Sequence, residues 1–221
     1  MGKQGHWSCL CCLILPVSDS DHSIRLLVTE RQHYAIITLN CAAQMNLLSQ
    51  ATMNELAAAV RRLRNCQNIR AIIVTGAGGI FSAGADLNEI AQVDPVTALE
   101  FSRRGQAILN LLRRQSPADA VTIAAIDGHC MGGGLDLALA CDLRFATPCS
   151  TFAHPGAKRG IITGWGGTVR LPRLIGRTTA LRLLLTGDRI AAPEAHRIGL
   201  INEICEDALE RACLFAESIG I

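Results

Sequence analysis

Short runs of consecutive apolar residues alternate along this chain with longer stretches in which apolar positions recur every three or four residues. Ile24 to Val28 and Tyr34 to Leu39 read as two strands of a hairpin joined through Thr29 to His33. Ser49 then caps a helix to about Asn65, with Met53, Leu56, Ala57, Val60 and Leu63 as its apolar stripe. Ala71 to Thr75 shows no alternation, which predicts a strand covered on both faces. Asp94 followed by Pro95 predicts a capped helix start, and that helix is expected to run to about Arg114 with Leu99, Ile108, Leu111 and Leu112 apolar. Val121 to Ile126 is the next strand, a helix follows from Gly134, and Leu143 to Ala146 is another strand. Asp207 to Ser218 is amphipathic. Strand and helix alternate without a marked linker, so the class is α/β.

Composition narrows the function. The chain has 221 residues, 49% hydrophobic and 18% charged, enough to bury a sizeable core. Its 21 basic and 19 acidic side chains leave a net charge of +2, too balanced to argue for nucleic acid. Two Trp, one Tyr and five Phe make a base-stacking platform improbable. Of ten cysteines, Cys9, Cys11 and Cys12 cluster at the front and the rest are scattered, which does not form the two paired ligand sets of a zinc site. No metal is expected. Cys130 and Cys141 lie in apolar runs and read as buried, reduced thiols of an intracellular protein. Leu10 to Leu15 is apolar, but no small-residue cleavage site precedes Asp19 and Asp21, and presequence arginines are missing. Residues 1–22 therefore read as a poorly ordered leader ahead of a domain at 23–221. No stretch approaches the ~20 apolar residues of a membrane span. The expected location is the cytoplasm, or the mitochondrial matrix in a eukaryote.

Two glycine-rich turns carry the chemistry. Gly128 to Asp142 reads G-H-C-M-G-G-G-L-D-L-A-L-A-C-D, which is a strand, a turn with bare backbone and a helix N-terminus. Such a turn can aim N–H groups at an oxygen that is becoming negative. Asp136 lies three residues past the middle glycine and adds a candidate acid or base. Phe81 to Leu87, F-S-A-G-A-D-L, is a second such turn after an apolar strand. Neither is a nucleotide loop: Phe81 stands where a dinucleotide fingerprint needs its last glycine, and no Lys-Ser or Lys-Thr follows Gly134. No G-x-S-x-G elbow exists for a Ser-His-Asp triad.

Together with G-W-G-G-T-V-R-L-P-R (Gly164 to Arg173), L-T-G-D-R-I (Leu185 to Ile190), A-H-R-I-G-L-I (Ala195 to Ile201) and Asn46-Leu47-Leu48, these turns resemble the crotonase, or enoyl-CoA hydratase/isomerase, superfamily across residues 24–218. The resemblance implies a crotonase-like spiral of repeated strand–strand–helix turns. It implies a coenzyme A thioester as substrate with no separate cofactor, and a homo-oligomer, trimer or hexamer. It assigns the backbone N–H groups of Ala85 and Gly133 as donors to the thioester oxygen, Asp136 as acid/base, and Ala83, Asp86 and Leu87 to coenzyme A binding. For Asp86, helix capping is an equal alternative. A carboxylate beside an apolar acyl pocket holds its proton more readily, which suits proton transfer.

The sequence departs from the family at three places. Gly156 stands after Pro155 where hydratases carry a second catalytic Glu, Thr163 replaces a usual proline, and the C-terminal helical region is shortened. Two-carboxylate hydration is therefore not expected; isomerisation, decarboxylation or thioester hydrolysis stand beside it. His154 is a candidate substitute acid/base, although a merely hydrogen-bonded role is the commoner fate of such a residue, as for His129. The rival readings are a non-catalytic acyl-CoA-binding or partner-binding relative, and a plain structural protein with the same ancestry.

Overall fold

The computed structural model describes residues 24–219; the expected leader, with Cys9, Cys11 and Cys12, lies outside the described residues. In chain order the fold opens with β1 (Leu26–Glu30), β2 (Tyr34–Leu39), α1 (Gln50–Arg64), β3 (Ala71–Gly76), α2 (Leu87–Ala91) and α3 (Ala98–Asn110). Next come β4 (Val121–Ile126), β5 (His129–Met131), α4 (Gly133–Ala140), β6 (Leu143–Ala146) and β7 (Thr151–Ala153). It continues with α5 (Gly167–Ile175), α6 (Arg177–Thr186), β8 (Ile190–Ala191), α7 (Ala192–Arg197), β9 (Glu203–Ile204) and α8 (Ala208–Ser218).

One sheet runs β1-β2-β3-β4-β6-β9, antiparallel between β1 and β2 and parallel thereafter. A smaller sheet, β5-β7-β8, forms a second layer. The two alternate along the chain: β4 leads into β5 and then α4, and β6 leads into β7 and a 3-10 turn at Pro155–Arg159. After β3, Ile80 and Ser82 bridge to Gly128 and Cys130 before α2 begins. These are the strand–strand–helix turns of the expected spiral.

The uninterrupted apolar run of β3 is explained by cover on both faces. Ile72 and Val74 pack with Met53, Leu56, Val60 and Leu63 of α1 and with Leu135 of α4. Ala71 and Ile73 join the opposite cluster, where Ala208, Ala212 and Ala216 of α8 meet Ile123, Ala125 and Phe145.

Two boundaries differ from their apolar letters. β1 begins and ends two residues later than expected, because its ladder pairs Glu30 with Ala35 and the Arg31 N–H donates to the Tyr34 carbonyl. Backbone pairing, not polarity, sets the strand ends. Asp94 does not cap α3. Its carboxylate accepts from the Val96 and Thr97 N–H groups in a turn of its own, so the helix starts at Ala98. At the other end Arg64 donates through Nε to the Leu111 carbonyl and through Nη2 to that of Arg113, drawing the chain off the helix.

Candidate active site

Both glycine turns leave the sheet layer side by side. The Ser82 N–H donates to the His129 carbonyl and the Met131 N–H to the Ser82 carbonyl, each at 2.9 Å, which clamps the first turn to β5. Asn46 holds the approach: its amide donates to the carbonyls of Ala77 and Ile80, and its own carbonyl accepts from Ser82 Oγ. At the crossing the backbones touch. A methyl group at Gly84, where φ is +99°, would lie 2.6 Å from the Met131 carbonyl and 2.7 Å from the Gly133 nitrogen. One at Gly133 would lie 3.0 Å from the Ala85 nitrogen. The Ala85 and Gly133 amides, 48 positions apart by their numbers, are thus neighbours.

Gly133 opens α4, so its N–H lies beyond the helix's own ladder and carries the partial positive end of the helix dipole. The opposite end of α4 is closed by Arg144, buried at 4% exposure, which donates to the Leu200, Ala138 and Cys141 carbonyls. Asp136 follows Gly133 by one helical turn, on the same side of the helix. Its carboxylate is 1% exposed. His154 Nε2 stands 3.0 Å from Oδ1, near enough to pair, yet neither atom completes a well-directed hydrogen bond. Thr163 donates its hydroxyl to Oδ2. The pair fits because position 167 is bare: a methyl there would sit 2.7 Å from His154 Nε2 and closer still to Asp136 Oδ1.

Residues 29–217 match the family model for enoyl-CoA hydratase/isomerase. The chain belongs to that family. It is 38% identical over 200 residues to a probable enoyl-CoA hydratase of Mycobacterium tuberculosis, covering 88% of this chain and 75% of the relative. It is 36% identical over 207 residues to the mitochondrial enoyl-CoA hydratase domain-containing protein 2 of Homo sapiens, covering 90% and 70%. The crystal structure of enoyl-CoA hydratase from Bacillus anthracis superposes with a TM-score of 0.82 at 36% identity, covering 89% of this chain and 76% of that one. Fold and sequence therefore assign an acyl-CoA enzyme family of hydratase/isomerase type, and no helix of the described residues is long and apolar enough to cross a membrane.

Within this family site, and among the described residues, Asp136 itself does not face an open apolar pocket. The carboxylate faces polar partners, His154 and Thr163, in the buried interior. Gly156, where the sequence reading expected the second carboxylate to be missing, is closed by backbone. A methyl at Gly156 would lie 2.5 Å from the Ile161 carbonyl oxygen, and the Ile161 N–H donates back to the Gly156 carbonyl. Asp86 caps the short helix α2 by accepting from the Asn88 N–H, Ala83 donates to the Met45 carbonyl, and Leu87 is exposed. These three lie next to the Ala85 turn. His129 pairs with Thr151 through Nδ1 at 2.8 Å, a structural contact in line with its expected role. Burial pushes the Cys141 thiol up to about 12 and Cys130 well above the ordinary thiol range, so both stay protonated and unreactive.

Sequence reading missed three residues here. Asn46 was visible only as a family signal, Thr163 only as a missing proline, and Trp165 only as a letter among glycines. Trp165 is 5% exposed, and its ring lies against Gly133: a methyl there would be 2.8 Å from Cζ3. The signal available was a large aromatic inside a run of three glycines, Gly164, Gly166 and Gly167.

Proposed function

We propose that this chain moves a double bond within an acyl-CoA thioester, using the Ala85 and Gly133 N–H groups to hold the thioester oxygen and Asp136 to carry the proton. In a 3-enoyl thioester Asp136 takes a proton from the α-carbon. The C–H electron pair passes into a dienolate whose negative charge rests on the oxygen between the two amides. The same proton returns to the γ-carbon, and the double bond ends at the 2,3 position. Two aimed donors are worth several kcal/mol, roughly 3 for each, at the developing oxyanion. The free capacity of Asp136 Oδ1 and His154 Nε2 suits a proton that is held briefly and returned, with His154 orienting the carboxylate.

The observation that carries this reading is the contrast between positions 136 and 156. A 1,3-proton transfer needs one acid/base, and the Asp136 carboxylate is retained and supported. Hydration needs a second group to hold water, and at Gly156 the Ile161 carbonyl occupies the direction a side chain would take. The test is turnover of 3-enoyl-CoA and crotonyl-CoA by the wild type and Asp136→Asn. Isomerisation should fall by at least ~100-fold in the variant while thioester binding persists. Unchanged turnover removes Asp136 from the chemistry.

A second reading, non-catalytic acyl-CoA binding, draws on the 1% exposure of Asp136. It expects calorimetric binding of the thioester and no turnover of either substrate by the wild type.

A further inference from the structure

A cleft of about 610 Å³ opens between α3, the C-terminal end of α4 and α5. Ser102, Gln106 and Asn110 of α3 line it at four-residue intervals, and Arg113 follows just past the helix end. Thr168, Arg170 and Arg173 line it from α5. Four of the lining residues are arginines, Arg144 being the fourth, and one, Asp142, is acidic. The chain as a whole carries a net charge of only +2, so the positive charge is concentrated here. Nothing in the cleft neutralises it. Asp142 Oδ2 accepts from the Thr122 N–H at 2.8 Å and from the Thr122 hydroxyl at 3.0 Å. Arg144 donates to backbone carbonyls, and Arg170 donates to the Trp165 carbonyl at 2.8 Å and the Asn110 side-chain oxygen at 2.7 Å. Among the described residues the Arg113 and Arg173 guanidiniums have no hydrogen-bond or ion-pair partner, and neither have the Ser102 and Thr168 hydroxyls. Burial lowers the Arg170 pKa; Asp136 opposes that and the Arg113 charge adds to it, so the two guanidiniums repel each other.

We propose that this cleft is a second binding site, for a small anion of the diphosphate class, apart from the turns that carry Ala85 and Gly133. Guanidinium forks match phosphate oxygens in shape and charge, and Arg113 and Arg173 offer two that are unpaired. The Ser102 and Thr168 hydroxyls add neutral donors from opposite walls. A diphosphate answers to the excess of arginine better than a single phosphate, because it brings more charge and can reach both α3 and α5. The volume lies within the range of small-molecule sites, roughly 300–1,000 Å³. None of Ala83, Ala85, Asp86, Leu87 and Gly133 lines the cleft. It adjoins the Asp136 site through Thr163, which forms part of its wall and donates to Asp136.

The test is calorimetric titration of the intact chain with pyrophosphate and with inorganic phosphate at low ionic strength, repeated for the double variant Arg113→Gln, Arg173→Gln. Both arginines are exposed and unpaired, so the variant keeps the fold. The wild type should bind pyrophosphate at least about tenfold more tightly than phosphate, and the double variant should lose about tenfold or more of that affinity. A control, Arg61→Gln with Arg70→Gln, removes the same charge from exposed positions outside the cleft and should change the affinity by less than about threefold. Equal loss in the two variants overturns the proposal, because overall charge then attracts the anion. So does a wild type that binds neither anion, or both equally. Coenzyme A, titrated into the same proteins, should bind the Arg113, Arg173 variant within about threefold of the wild type. If it weakens as much as pyrophosphate, the arginines hold the phosphates of the thioester substrate, and the proposal falls while the proposed function stands. Sedimentation of wild type and variant should give the same mass; a change would assign the cleft to a contact between copies of the chain and overturn the proposal as well.

Discussion

Missing side chains shape this site as much as present ones. Gly84 and Gly133 let two backbones cross within contact distance, and Gly167 leaves room for the Asp136 and His154 side chains to meet. Gly156 belongs to the same class but serves a different end, since the Ile161 carbonyl lies where its side chain would begin. Restoring the family carboxylate there is therefore not a simple repair. Gly156→Glu should lower stability by about 1–3 kcal/mol through overpacking and confer no crotonyl-CoA hydration. Melting temperature and a hydration assay check this; a variant that melts normally and hydrates crotonyl-CoA would show that the turn at Pro155–Arg159 can yield. The glycine letters were legible as tight turns, and Asp136 as a candidate acid. The partnership with His154 was not, because it joins α4 to the segment after β7 across a contact that no local pattern encodes.

At the scale of elements, helix direction and closeness to the sheet matter most. α4 has its first amide at the crossing of the turns and its last carbonyls on Arg144, so its orientation is held from both ends. α8 lies on the other face of the sheet. Asp207 caps it by accepting from the Leu209 and Glu210 N–H groups, and its buried positions Ala208, Ala212 and Ala216 recur every four residues. That small-residue stripe lets the helix approach β3 and β4 closely. Ala212→Leu should therefore cost about 1–3 kcal/mol as the helix is pushed away, visible as a lower urea midpoint with the turns of the active site intact. An unchanged midpoint would mean that α8 is loosely seated. The pattern revealed α1, α3, α4 and the strands of the large sheet up to β6, passed over α5 and α6, and erred at ends such as Asp94 and Ile24, where side-chain and ladder bonds decide.

Across the whole molecule, burial of cysteine ties stability to alkaline pH. In the folded chain the Cys141 thiol is pushed from 9.0 up to about 12, and Cys130 is raised as well, in both cases chiefly because a thiolate cannot be solvated there. Below the unfolded value of 9.0 both states hold these protons and the contribution is complete. Above it the unfolded chain releases them while the folded chain keeps them, so stability declines as pH rises towards 12. Each thiol adds to that decline in the same direction. Urea midpoints at about pH 8 and about pH 10 should show the fall, and Cys130→Ala with Cys141→Ala should flatten it. An equal fall in the double variant would place its origin elsewhere. The sequence by itself determined the α/β class, the two bare turns, the family and the candidate carboxylate, because periodicity, glycine and a short motif act within a few residues. Only the tertiary structure decided that the Ala85 and Gly133 amides are adjacent, that Thr163 bonds Asp136 with His154 beside it, that Ile161 closes position 156 and that Trp165 packs on Gly133. Each of those is a contact between segments far apart in the chain, and such contacts exist only once the sheets and helices have packed.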